Sequence, residues 1–175
     1  MYRDDISIAV GSQCPPHHED CESAAVGSAM LDPTGEALRK MTAIITPNDL
    51  FRHVDRIVFT ACLEVANAYG VVDIALLHDY LVESGQLAEI DGPLTLLKYQ
   101  EAVPNTAHAE YYARVTLKNS IRRQVIDESR ELIDAAQAQR ESLTSLRNRV
   151  QALGELLDKK MLGLRPQDCD HGGQT

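Results

Sequence analysis

The chain has 175 residues, of which 44% are hydrophobic and 5% aromatic, with no Trp and a formal net charge of -9. That length fits one domain with an appendage, and the aliphatic bias favours a helical core over a β-sandwich. The negative balance excludes a protein whose whole surface is built for the DNA backbone, because neutralising phosphates takes clustered Lys and Arg; a local basic patch stays open.

The first eighteen residues read as a flexible leader. They lack a basic stretch followed by an apolar one, so no secretion signal is expected, and Pro15-Pro16 bars regular helix. Four Cys without such a signal point to free thiols in a reducing, cytoplasmic setting. No apolar run approaches the ~20 residues that span a bilayer, so no membrane partner is expected.

Glu19 to Leu31 reads as a helix with an acidic first turn and an apolar stripe of Ala25, Val26, Ala29 and Met30. Small residues at Ala24, Ala25, Gly27, Ser28 and Ala29 allow close packing against a neighbour. Asp32-Pro33-Thr34-Gly35 is a turn. A second helix is expected from Glu36 to Ile45, ended by Thr46-Pro47, where Thr46 caps and Pro47 suits a first helical position. Val54 to Tyr69 carries Ile57, Val58, Ala61, Cys62, Val65 and Ala68 at helical spacing and stops at Gly70. Asp73 N-caps a helix through Glu83, and Leu94 to Ala102 is a short helix after the Asp91-Gly92-Pro93 turn.

From Ala107 to Met161 there is no Pro and no Gly except Gly154. Val115, Val125 and Leu132 lie on one apolar stripe. Leu143, Leu146, Val150, Leu153 and Leu157 alternate steps of three and four, the a/d seam of helix-on-helix packing. The polar stretch Gln137 to Ser142 marks a turn between two antiparallel arms, with one continuous helix as the alternative. The expected architecture is therefore all-α: a compact multi-helix head over 19–104, a long helical hairpin (or one long helix) over 105–164, and a disordered polar tail over 165–175. A two-helix arm has little core of its own, so Val115, Val125, Leu132, Leu143, Leu146, Val150, Leu153 and Leu157 are the expected oligomerisation surface.

No catalytic or cofactor motif emerges. None of the five Lys follows Gly or precedes Ser or Thr, so the glycine-rich phosphate loop of ATP hydrolysis is missing from these residues. Neither GxGxxG, HExxH nor GxSxG occurs. Cys14, His17, His18 and Cys21 are zinc ligands by residue type. The prolines between them stiffen the loop and Cys21 falls on the first helix, so the segment reads as a leader with incidental thiols; no cofactor is expected. Cys62 on an apolar face reads as a packed thiol rather than a nucleophile. Lys118, Arg122 and Arg123 form the densest basic cluster, either a solvated helix face or a small nucleic-acid contact.

Several stretches, in order, resemble the N-terminal domain of the bacterial replicative DNA helicase family (DnaB-type). Pro15-Pro16-His17 and the run Cys21 to Asp32 resemble its PPH leader and E-x-x-[VL]-[LI]-G first helix. Asp49-Leu50-Phe51 with Arg56 to Phe59 resembles its D-F-[YF] segment, and Gly70-Val71-Val72-Asp73 its G-x-P-V-D turn. Leu81 to Leu87, Glu89 to Gly92, and Val103-Pro104-Asn105 with Tyr111-Tyr112-Ala113 resemble three further segments. Arg56, Val71 and Ala24 depart from the usual residues. The resemblance implies a collar that pairs into dimers, packs as three dimers in a ring, and docks a helicase motor, primase or loader-type protein, with DNA engaged only indirectly. It implies exposed hairpin positions Lys118, Arg122 and Arg130 as the partner contact. It implies no ATPase or unwinding activity in these residues themselves. The alternatives are a non-catalytic piece of a split or truncated ATP-dependent helicase, and a small nucleic-acid-binding regulator.

Overall fold

The computed structural model of the chain describes residues 14–138 and 141–164. Among them there are seven α-helices and no strand: α1 (Glu19–Leu31), α2 (Glu36–Thr42), α3 (His53–Tyr69), α4 (Ile74–Glu83), α5 (Leu94–Glu101), α6 (Ala109–Gln137) and α7 (Leu143–Met161). Short 3-10 turns at Pro47–Asp49 and Leu87–Ile90 join α2 to α3 and α4 to α5. The expected tail lies outside the described residues, as does the leader up to residue 13.

Local chemistry sets most of the helix ends. The His18 imidazole accepts from the Cys21 amide at the start of α1, and Asp73 accepts from Ala75 N–H at 2.8 Å at the start of α4. Gly70 takes φ 75° at the end of α3, a left-handed conformation that costs a residue without Cβ little. α2 is shorter than the spacing predicts. The Thr42 hydroxyl donates to the Arg39 carbonyl, and Ile44 and Ile45 amides both turn back to Met41 O, closing the last turn. Ile45 is still buried, so the apolar pattern reported packing rather than helix.

The head is built around α1, whose residues from Ala24 to Met30 are all buried. Phe59, Met41, Leu50, Leu77, Leu81 and Leu96 are buried in the same core. Fully burying such a side chain stabilises by about 1.5–3 kcal/mol. The small residues of α1 do what the sequence predicts: a Cβ on Gly27 would stand 2.1 Å from the Tyr99 carbonyl oxygen on α5. One buried carboxylate, Asp55, joins several elements. Asp55 accepts from the Tyr99 hydroxyl and from Arg52 Nε at 2.9 Å, while Arg52 reaches on to Glu19 and Ser23. That set binds α1, α3 and α5 to one another.

α6 belongs to both parts of the molecule. Its first half presents Ala109, Ala113, Thr116, Leu117 and Ser120 to the head, all buried. Beyond Ser120 nothing on α6 is buried, and α7 buries no residue along its length. The arms run antiparallel: Arg149 pairs with Glu131 at 2.8 Å near the tip, and Arg114 donates to Gly163 O at the base. The turn between them separates two helices, with Ser142 capping α7 through a bond from Ser145 N–H at 3.1 Å.

Candidate functional site

The hairpin and its root in the head form the candidate site. Outward from the head, the hairpin is a pair of helices with solvent on most sides. Of the a/d seam, Leu146, Leu153 and Leu157 are half-buried, whereas Leu143 is 85% exposed and Val150 57% exposed. The seam thus divides: Leu146, Leu153 and, toward the base, Leu157 are partly covered within the chain, while Leu143 and Val150 stay open. Ile133, Leu156, Met161 and Leu162 are further exposed apolar side chains of the hairpin and its base. On α6, Val115, Val125 and Leu132 are half-buried. An arm with this much open apolar surface leaves a face that association would cover.

The positions predicted for partner contact differ in how they are held. Arg122 is exposed and donates to the Asn119 side chain at 3.3 Å. Arg130 is exposed beside Asp127 at 3.5 Å. Lys118 is half-buried. Arg123, read from sequence as part of the same basic cluster, turns away from these into the head. It donates to Pro16 O at 2.7 Å and to Asp49 O, lies 3.7 Å from Glu22, and sits over the Phe51 ring. Helical spacing carries the signal for this: Arg123 follows Ser120 by three on the stripe of small buried residues.

The root of the hairpin is a polar junction that sequence reasoning missed. Asp49, 3% exposed, accepts from Ser120 Oγ at 2.6 Å and Lys160 Nζ at 2.7 Å through one oxygen, and from the Thr46 amide and hydroxyl through the other. Burial pushes its pKa up, but Lys160, Ser120 and Thr46 outweigh that and hold it below the ordinary carboxylate value. Glu22 beside it goes the other way. Burial dominates and raises its pKa, against the Phe51 amide at 2.6 Å and Arg123. Its Oε1 atom has no hydrogen-bond partner. One residue from each arm, Ser120 and Lys160, therefore meets a single carboxylate of the head.

The four candidate metal ligands are engaged in other ways. His17 stacks on Phe51 with ring centroids 4.5 Å apart and bonds the Pro15 carbonyl at 2.8 Å. His18 caps α1, Cys21 is buried on that helix, and Cys14 is exposed 3.7 Å from His17 Nδ1. Among the described residues no three His, Cys, Asp or Glu groups come together around a point. Residues 15–18, expected as part of a flexible leader, are instead tied to the head through Pro16, His17 and His18. Cys62 is fully buried, and burial pushes its thiol up to about 12, so it is a packing residue. No single described helix is long and apolar enough to cross a membrane.

Against known proteins, residues 14–118 match the family model of the DnaB-like helicase N terminal domain. The chain is 35% identical over 121 residues to the replicative DNA helicase DnaB of Geobacillus stearothermophilus, covering 69% of this chain and 26% of that protein. It is 27% identical over 117 residues to the replicative DNA helicase DnaC of Bacillus subtilis, covering 67% of this chain and 25% of that protein. It thus spans about a quarter of the length of these relatives. The crystal structure of the N-terminal domain of DnaB helicase from Mycobacterium tuberculosis superposes with a TM-score of 0.73 at 22% identity, covering 80% of this chain and 97% of that one, a likeness of fold. The chain belongs to the DnaB-like helicase N-terminal domain family.

Proposed function

We propose that the chain acts in DNA replication as a collar-type oligomerisation and protein-interaction module, without ATPase or unwinding activity in these residues. The observation that carries this is the open surface of the hairpin: no residue of α7 is fully buried within the chain, and Leu143 and Val150 stand in solvent at heptad spacing. A second copy laid along that surface supplies the missing side of the core. A dimer formed this way is the building block of a ring of three dimers. The exposed hairpin positions Arg122 and Arg130, with Lys118 beside them, then face a helicase motor, primase or loader-type protein in the cytoplasm.

The sequence contains no glycine-rich phosphate loop, so ATP-driven unwinding needs a motor supplied by other residues, whether in the same polypeptide or in a partner. DNA is engaged through that assembly. Light scattering on the chain across a concentration series tests the reading. The chain is expected to self-associate, and Leu143→Asp with Val150→Asp is expected to shift it to monomer while leaving helical content unchanged. A strictly monomeric parent at high concentration would overturn the proposal.

A further inference from the structure

We propose that the outward face of α4 is a docking surface for a basic, amphipathic segment of a partner protein, separate from the hairpin. α4 buries Leu77 and Leu81 against the head. Its opposite side repeats at helical spacing as Ala75, Asp79, Val82 and Glu83, all exposed. Val82 is 51% exposed, and Tyr69 and Val71 stand open at 64% and 41% in the corner that leads into the helix. The face therefore offers apolar contact points set among carboxylates.

Charge selects the occupant. Residues 57–97 contain no Lys or Arg at all, but hold Glu64, Asp73, Asp79, Glu83, Glu89 and Asp91, every one exposed. Among the described residues, their ion pairs are to imidazoles alone, His78 with Asp79 at 3.4 Å and His53 with Glu89 at 3.0 Å. Among the described residues, no Lys or Arg forms an ion pair with Asp73, Asp79 or Glu83. α3 and α4 also both end without a basic residue in the last turn, so the partial negative charge of each helix end is left uncomplemented. The hairpin differs, since residues 109–164 hold ten Lys and Arg against eight Asp and Glu. A nucleic acid or an anionic lipid surface is repelled by such a face, and a second copy of the same face meets like charge. A protein segment that sets Lys or Arg around a few apolar side chains fits both features.

The test uses the full chain and a synthetic amphipathic Leu/Lys peptide as probe. Zero-length carbodiimide crosslinking followed by mass spectrometry reads which carboxylates the peptide lysines reach, and fluorescence anisotropy of the labelled peptide reads affinity. Crosslinks are expected at Asp73, Asp79 and Glu83, with binding that weakens as salt rises. Asp79→Lys with Glu83→Lys is expected to weaken binding about tenfold, and Val82→Ser several-fold, since exposed pairs are individually small but here are reversed together. Crosslinks spread over Glu19, Asp20 and Glu36 in equal measure, or affinity unchanged in the double variant, would overturn the assignment. Light scattering on the same samples separates this from the hairpin proposal, because the α4 variants are expected to leave self-association as it was.

Discussion

Asp49→Ala is the sharpest test of how the hairpin is attached. The substitution deletes the common acceptor of Ser120, Lys160 and both Thr46 donors. Ser120 is 2% exposed, so its hydroxyl is stranded, and an unsatisfied buried donor costs about 1–3 kcal/mol. Lys160, with its side chain 23% exposed, turns to water, which keeps the loss below the ~3–5 kcal/mol of a fully buried broken pair. The sum comes to about 3 kcal/mol. Lys160→Met leaves the carboxylate with its Ser and Thr donors and is expected to cost about 1 kcal/mol. Urea unfolding reads both, at one fixed protein concentration because association shifts apparent stability. A pH series adds a sign. Asp49 is held below its ordinary value of 3.8, so its contribution is fully present above that pH and is lost as pH falls further. Asp49→Asn is therefore expected to flatten the acid limb. A loss under about 0.5 kcal/mol for Asp49→Ala, the range of ordinary surface changes, would refute the junction as the hairpin's anchor.

Two further outcomes follow from packing. Gly27→Ala places a Cβ 2.1 Å from the Tyr99 carbonyl and 2.8 Å from Val103 Cγ2, so α1 and α5 must separate; denaturation should show a loss of about 1–3 kcal/mol, the usual cost of overpacking. In native-state alkylation among the described cysteines, exposed Cys14 is expected to label first. Cys21 and Cys62, with thiols pushed up to about 11 and about 12 by burial, should be protected until the head unfolds; early labelling of Cys62 in mass spectrometry would contradict its place in the core.

The head was legible wherever local chemistry set it. The acidic first turn from Glu19, the Asp73 cap and Gly70 mark their helix boundaries, and the 3.6-residue stripe of α3 picks out Ile57, Val58, Ala61, Cys62 and Val65, all buried. The long helical stretch was legible from the lack of Pro and Gly, but the sequence left a hairpin and one continuous helix both open; the structure breaks it between α6 and α7. What local pattern cannot carry is a partner far along the chain. Asp49 and Lys160 are 111 residues apart, and neither has a neighbour in sequence that announces the other. Arg123 was misleading because Arg122 stands next to it: adjacent helical residues point about 100° apart, so a pair read as one basic cluster serves two different surfaces. The leucine seam was visible as a pattern, but which of its residues are covered depends on where α6 lies.

Both arms of the hairpin are rooted at the same place, with Ser120 and Lys160 on one carboxylate and Arg114 on the Gly163 carbonyl close by. The arm is therefore a cantilever: from Ser120 to Gln137 it reaches roughly 25 Å past the Asp49 junction, at 1.5 Å per residue. A small rotation at Asp49 becomes a displacement of several ångströms at the tip. Whatever grips the tip holds the long end of that lever, and the head feels the torque where Asp49 and Arg123 tie the arm to it.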